Sequence, residues 1–477
     1  MPTLVQNARW IIAWDDASQR HAYLENADLV FHEDRILFIG KNYPGSTSQI
    51  IDGRHLMLMP GLVNIHTHPW SEPLNKGFAE DFGNASLGYM AMYDTMPGWV
   101  NNQKSWLVAA TVAYSELLLT GTTTIVDNSP AYDGWIELVE VSGVRAYLGP
   151  AMSSSYWVLE NADSFRYEWS DDDGAASFDR AMSIIDTLRD DPTRRVRGIV
   201  FPGQVDTCSE AFLRKSVEAA QERNLPLQIH AAQSIPEYRE MIRRHGKSPL
   251  AWLDDIGVLS SNTIISHCIF LNDHSWIGEP GDDLERLARA GVTVAHCPTV
   301  FARTAAKLEN FARYVEAGVN VAVGTDTYPH DMFEEMRLAQ YLSRTDARKI
   351  DGSSTADLFY ATTIAGAKAL GRSDIGRLSV DSKADILFVD IQHPQMQPAR
   401  DPLRSMVQSA GSRAIRDVVV DGRFVVLDGQ LTTLDYAGAL SQLGNMARLN
   451  EERIPSVDVI GRSGEALAPL SLPRLRF

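Results

Sequence analysis

The sequence predicts an α/β protein, a (β/α)8 TIM-like barrel with a small β-sandwich domain built from both termini. Three observations lead there. Short apolar runs bounded by turn residues recur eight times between residues 58 and 325. Helical patterns separate them, so the chain alternates β with α, as parallel sheets and barrels do. The two ends of the chain read instead as hairpins. A doubly wound open sheet shares the alternation, and the count of eight runs is what favours the barrel.

Taken in order, residues 9–13, 29–31 and 36–39 are strand-like, the last two flanking the turn His32-Glu33-Asp34-Arg35. Barrel strands are predicted at 58–68, 122–128, 145–151, 196–201, 225–230, 263–270, 292–297 and 319–325. Two intervening helices are plain. Leu107, Ala110, Tyr114, Leu117 and Leu118 share one face, as do Leu308, Phe311, Ala312 and Val315, and Gly121 and Gly318 follow as stops. Beyond the barrel come an apolar run at 384–389 and a second at 418–426, where Asp421-Gly422 has the signature of a two-residue hairpin. The expected domains are 1–55 with 376–440 for the composite β domain, 56–375 for the barrel, and 441–477 for a tail that starts helical and turns Pro-rich.

At 477 residues and 44% hydrophobic, the chain can bury a large core. Its 44 basic against 61 acidic residues, a net charge of −17, argue against binding to a phosphate backbone. No apolar run reaches the length of about 18 residues that a membrane span needs. Residues 1–14 lack the basic segment and apolar core of a secretory signal. Three widely spaced cysteines make no disulfide framework. The expectation is a cytoplasmic protein with a small-molecule substrate, no nucleic-acid or membrane partner, and homo-oligomeric assembly.

Barrel active sites form at the C-terminal ends of the strands, so metal ligands are sought there. The first predicted strand ends His66-Thr67-His68. Side chains two apart on a strand point the same way, and two imidazoles facing the lumen can share a cation. Alone, His-x-His is a weak signal. The fifth strand ends at His230, the sixth carries Ser266-His267-Cys268, and the eighth ends Gly324-Thr325-Asp326. Four of the 12 histidines thus sit at three strand ends, with an aspartate at a fourth. Cys268 and Cys297 alternate away from the lumen and are assigned to the core.

Together, Met59-Pro60-Gly61-Leu62-Val63-Asn64-Ile65-His66-Thr67-His68, Ser266-His267-Cys268, Ala295-His296-Cys297-Pro298 and Gly324-Thr325-Asp326 resemble the amidohydrolase superfamily. The likeness is to its mononuclear-metal branch, with the cytosine, guanine and adenosylhomocysteine deaminases and the triazine hydrolases. The stretch Thr325–Met332 also resembles hydrolases of ureas and thiocarbamates, such as the phenylurea and molinate hydrolases. The resemblance implies that His66, His68, His230 and Asp326 bind one divalent ion per chain, Zn2+ first, with Fe2+, Co2+ or Mn2+ as alternatives. It places His267 beside the metal-bound water as a base, a carbonyl polariser or a further ligand. Such an ion lowers the pKa of its water toward about 7. Asp326 would take the water proton and pass it to the leaving group, while His267 serves the developing charge. Binuclear relatives bridge a second ion with a lysine or glutamate from strand four; here that strand ends Val200-Phe201-Pro202-Gly203-Gln204, so one ion is expected.

One position departs from the deaminase pattern. Ring deaminases of this branch carry a glutamate three residues after the strand-five histidine, which protonates the ring nitrogen. This chain has Gln233 there, and an amide cannot shuttle a proton. A urea, amide or carbamate carbonyl needs that acid less, because the metal polarises its oxygen. The expected function is metal-dependent hydrolysis of a non-peptide C–N bond, of urea, amide or carbamate type, in a small aromatic or heterocyclic substrate. The alternative is an aminohydrolase or dechlorinase of an N-heterocycle, with the acid supplied by a group such as His274. A catalytically silent assembly protein is the remote reading, disfavoured by the complete ligand set. Gln233 joins His267 and Asp326 as a catalytic candidate, and Trp70, Asn128, Gln204, Phe301, Tyr328 and His330 are candidate substrate contacts, with Arg303 on the loop of Phe301. The segment after the first barrel strand, with Trp70, Phe78, Phe82, Tyr89, Met90, Met92, Tyr93, Met96 and Trp99, has the composition of an apolar pocket wall or a subunit contact.

Overall fold

The computed structural model describes residues 2–78, 80, 83–90, 103–188 and 195–475. The chain opens with β1 (Thr3–Asp15), β2 (Arg20–His32), β3 (Arg35–Gly40), β4 (Gln49–Asp52) and β5 (Leu56–Pro60). The barrel strands start with β6 (Leu62–Thr67), β7 (Thr122–Ser129) and β8 (Arg145–Pro150). A hairpin the sequence does not announce, β9 (Ser155–Asn161) and β10 (Ser164–Trp169), is inserted next. β11 (Val196–Gly198), β12 (Leu227–Ala231), β13 (Thr263–His267), β14 (Thr293–His296) and β15 (Asn320–Val323) complete the barrel set.

These strands form two parallel four-stranded sheets, ordered β11-β8-β7-β6 and β12-β13-β14-β15. Their edges meet at both seams through parallel bridges, Thr67 to Asp326 on one side, and Val200 to Leu227 and Gln204 to His230 on the other. Neighbours around the ring are therefore neighbours in sequence, as in a (β/α)8 barrel and unlike an open sheet, although neither seam carries a continuous ladder. One buried cluster joins Val126, Tyr147, Ile264, Ala295 and Ala322, one residue from each of five strands.

The run predicted at 58–68 is two strands. The chain changes sheets at Gly61, whose N–H donates to the Asp385 carbonyl at 3.0 Å, while the next amide, Leu62, donates to Gly121 at 3.1 Å. β5 thus belongs with the terminal strands, beyond the boundary expected at residue 55. It lies antiparallel to β16 (Ile386–Asp390) and parallel to β1, tying the two chain ends together. With β17 (Ile415–Val420), β18 (Arg423–Leu427) and β19 (Gln430–Leu431), these strands make one nine-stranded sheet, β19-β18-β17-β16-β5-β1-β2-β3, with β4 on β1. The sheet folds over itself like a sandwich: Phe31 of β2 meets Phe424 of β18 at a ring separation of 6.4 Å, although four strands lie between them in the ladder. β17 and β18 are joined through Asp421-Gly422, both at positive φ, the geometry of a tight I′ hairpin.

The helix Gln103–Leu119 packs on a second helix, Tyr436–Val457, through Ala109, Val112, Ala439 and Leu443. Buried on two sides, it does not keep the single face that the spacing predicts, and Leu107 is 37% exposed. Val315 is likewise 46% exposed, because Leu308 precedes the short helix Phe311–Glu316 and sets no periodicity within it. Among the described residues no helix is long and apolar enough to cross a membrane.

Candidate functional site

The C-terminal ends of the barrel strands are held in unusual backbone geometry. Asp326 N–H donates to the His66 carbonyl at 2.9 Å and His68 N–H to the Asp326 carbonyl at 3.0 Å, so the ends of β6 and β15 are locked together. That approach requires Gly324, where an added Cβ would lie 2.8 Å from the Cβ and carbonyl oxygen of His66. His267 and Asp326 sit at φ +76° and +59°, a conformation that is costly for residues with side chains and that clusters at functional sites. These turns carry both side chains to the point where His66 and His68 already face.

The imidazoles are oriented from behind. His68 Nδ1 donates to the Asn128 carbonyl at 2.6 Å and His230 Nδ1 to the Gly203 carbonyl at 2.9 Å. Each Nε2 is then a bare lone pair aimed at the centre. His66 Nδ1 lies within hydrogen-bond distance of Ser266 Oγ (3.1 Å) and Asn128 Nδ2 (2.9 Å). Its Nε2 stands 3.2 Å from His230 Nε2 and 3.2 Å from Asp326 Oδ1, and His68 Nε2 is 3.2 Å from that same oxygen. His267 stacks on His230 at a ring separation of 5.1 Å, with its buried Nδ1 lacking a partner. Ligand atoms of His66, His68 and His230, and of His66, His267 and Asp326, each converge within 4.8 Å. Lone pairs so crowded repel unless a cation lies among them, and an N3O set with an adjacent imidazole suits a borderline divalent metal.

Burial and the surrounding imidazoles push His230 well below its usual range, and burial takes His267 to about 3, so both stay in the neutral, ligating form. Burial alone would raise Asp326, but the imidazoles around it, His267 first and then His66 and His68, hold it well below the carboxylate range.

Above the cluster opens a cavity of about 230 Å³. Its walls are aromatic: Trp70, Trp157, Phe301 and Tyr328. Phe301 lies against His267 at 4.6 Å between ring centres, so the aromatic wall reaches the ligands themselves. Gln204, Gln233, Glu72 and Arg303 add polar groups to the lining.

The amidohydrolase family model matches residues 57–425, which span the barrel and strands β5, β16, β17 and β18 of the composite sheet. The chain belongs to the amidohydrolase family. This amidohydrolase is 28% identical over 427 residues to the 5'-deoxyadenosine deaminase of Methanothermobacter thermautotrophicus, covering 86% of this chain and 92% of that protein. It is 30% identical over 415 residues to the 5-methylthioadenosine/S-adenosylhomocysteine deaminase of Thermococcus onnurineus, covering 85% and 91%. An adenosine deaminase from Xanthomonas campestris with bound zinc superposes with a TM-score of 0.82 at 25% identity, over 95% of this chain and 99% of that one. The chain is accordingly a metal-dependent hydrolase of non-peptide C–N bonds.

Of the residues singled out in this amidohydrolase, Trp70, Gln204, Gln233, Phe301 and Tyr328 line the cavity. Asn128 and His330 do not. Asn128 is buried behind His66, where its amide also donates to Gln228 at 2.6 Å, so it supports the cluster rather than facing substrate. His330 turns away from the cavity to Glu116, 3.0 Å from its Nδ1. His274 is no free acid either: its Nδ1 accepts from the Trp276 amide at 3.1 Å and its Nε2 lies 3.2 Å from the Lys307 carbonyl. Phe82, Met92, Tyr93, Met96 and Trp99 lie outside the described residues. Trp157 and Glu72 are among the lining residues that escape the sequence reading. Trp157 is carried in by the β9–β10 hairpin, and Glu72 by the 3-10 turn Glu72–Asn75 after β6. The available signal for Glu72 was an acid set among apolar residues four positions past His68.

Proposed function

We propose that this amidohydrolase removes an exocyclic amino group from a nitrogen heterocycle of adenine type. The observation that carries the reading is the aromatic-walled cavity seated directly on the ligand cluster, whose flat faces suit a flat ring. The deaminase names of the relatives support it, and favour the heterocycle alternative over the urea expectation. The ion is assigned as zinc, on the imidazole-rich donor set and on the zinc of the Xanthomonas protein. His66, His68, His230 and Asp326 would hold it.

A divalent ion there supplies Lewis acidity and makes a water acidic near neutral pH. The chain's own groups do the rest. Asp326, an ionised carboxylate at the cluster, takes a proton from the attacking water and returns it to the departing amine. Neutral His267 stands over the same point and steadies the charge that develops on oxygen. Trp70, Trp157 and Phe301 exclude water around the ring.

Gln233 favours a second reading, hydrolysis of a urea, amide or carbamate, because its amide cannot donate a catalytic proton. The deciding experiment offers zinc-loaded protein 5'-deoxyadenosine, 5'-methylthioadenosine and a phenylurea, following ammonia and amine release. Ammonia from an adenine compound is expected. Aniline from the urea, with no ammonia from any aminated ring, overturns the proposal in favour of the second reading.

A further inference from the structure

We propose that Glu72 is the acid that hands a proton to the substrate's nitrogen, the role an amide at Gln233 cannot fill. The inference rests on the hydrolase reading above and concerns which residue completes it. Besides Asp326, Glu72 is the only carboxyl lining the cavity among the described residues. Its residue is 7% exposed, and the one hydrogen bond to its carboxyl among those residues comes from Ser71 Oγ at 3.4 Å. Among the described residues no lysine or arginine forms an ion pair with it, so none of them fixes it as a structural anion. The turn that carries it is tied across the cavity mouth, since Tyr328 OH donates to the Asn75 carbonyl at 2.9 Å.

Other donors are engaged or face elsewhere. Arg303 donates to the Tyr328 carbonyl and to Thr327 Oγ1, and a guanidinium does not release a proton. Two further buried carboxyls sit behind the wall. Glu335 accepts from the Thr299 amide at 3.0 Å and Glu237 from the Ala232 amide at 2.6 Å, and neither lines the cavity. The charged groups that act on Glu72 are Asp326, His68 and Arg303. Burial, reinforced by the Asp326 carboxylate, pushes its carboxyl up to about 8 against the pull of His68 and Arg303, so it keeps its proton at neutral pH.

The proton bookkeeping closes. As water oxygen bonds to the amino-bearing ring carbon, the water gives one proton to Asp326. The C=N pair moves onto the ring nitrogen, which takes the Glu72 proton. On collapse the carbon–amine bond breaks, and the amine leaves as ammonia with the proton held by Asp326. The new hydroxyl becomes a carbonyl and returns its proton to Glu72. In a urea the same Glu72 proton would go to the leaving amine.

The test compares native and Glu72→Gln protein, both zinc-loaded. Expected for the variant are kcat lower by about 10²-fold or more, KM within about threefold, unchanged zinc content and melting temperature, and loss of the alkaline limb of the pH–rate profile. Glu72→Asp should recover part of the rate. A second readout needs no turnover: the native-minus-variant infrared difference at neutral pH should contain a protonated carboxyl band. A Glu72→Gln enzyme within about threefold of native kcat overturns the proposal, as does an ionised Glu72 in the infrared spectrum. If the native enzyme cleaves only the urea, the ring reading falls, and Glu72 is still judged by both measurements.

Discussion

Two buried polar clusters sit at opposite ends of the barrel strands, and they are completed in opposite ways. At the N-terminal end, Arg145, the first residue of β8, is 1% exposed and fully paired. It donates twice to Asp385 at 3.0 Å and once to Asp421 at 2.6 Å, joining the barrel to the nine-stranded sheet. Burial works against its charge, but the two carboxylates outweigh that and raise its pKa. At the C-terminal end, three imidazoles and a carboxylate converge with no cation from the chain among them. The base supplies its own positive charge, while the top is built to receive one. A buried cluster of like donors is therefore informative by what it lacks: the structural one is electrically closed, the functional one is open.

His66→Ala is the largest break. It removes the atom that stands nearest both His230 and Asp326, so metal content should fall to near zero and turnover below detection. Elemental analysis beside kinetics checks it, and retained metal with retained rate would mean the cluster is not the site. Arg145→Met should do the reverse. Leaving Asp385 buried without its ion-pair partner, and Asp421 with Lys383 alone, should cost about 3–5 kcal/mol in urea unfolding, with metal content and kcat of the folded protein unchanged. Loss of metal in Arg145→Met would show that the two ends are coupled.

Acid should separate the ends by order of failure. His296 at the site end is pushed down to about 3 by burial. Its unfolded form takes up a proton near pH 6.5 that the folded form refuses, so stability falls as pH drops from about 6.5 toward that folded value, by up to about 1.4 kcal/mol per pH unit. Asp421 has the opposite sign of dependence on charge. Burial would raise it, but Arg145 and Lys383 hold it below the usual range, so its contribution is present above about pH 4 and is lost only as pH falls through its lowered value. Unfolding midpoints of metal-free protein from about pH 7 to about pH 4 should therefore decline, less steeply in His296→Asn and equally steeply in Asp421→Asn.

The open end was legible in the sequence because a strand's period of two and the barrel's strand-end rule together bring His66, His68 and His230 to one mouth, where Asp326, three residues past β15, is turned in by its positive φ. The closed end was not. Arg145, Asp385 and Asp421 lie far apart in the chain, and only the fold-over of the terminal strands brings them together. Loops escaped for a related reason. Position at a strand end does not settle which way a side chain turns once the strand has stopped, and so His330 was placed in the cavity while Trp157 and Glu72 were not; Asn128, still within β7, lies behind His66 rather than at the cavity. The sheet exchange at Gly61 hid inside one apolar run, because β5 and β6 are equally buried in two different sheets.

The smallest expected effect comes from restoring the carboxyl that the family pattern places three residues after His230. Gln233 Nε2 donates to Gln204 Oε1, so a protonated glutamate there can donate to the same oxygen, whereas an ionised one would need Gln204 to flip its amide. Its new charge would also lie near the buried carboxyl of Glu237, to which the Gln233 backbone N–H points at 3.4 Å. Both features allow the side chain to fit and favour its protonated form. If Glu72 already delivers the proton, a second acid adds little, and Gln233→Glu should change kcat/KM on an adenine compound by less than about threefold. Were Glu72 idle, the new acid would supply a missing step and raise that rate tenfold or more, about 1.4 kcal/mol of transition-state stabilisation. Measured in the Glu72→Gln background, the same change should then recover part of the lost rate, because two carboxyls on one cavity can serve one nitrogen. A gain in the single variant that persists undiminished in the double would mean that Glu72 does not deliver the proton, and that the open end of the barrel is completed by its metal without help from Glu72.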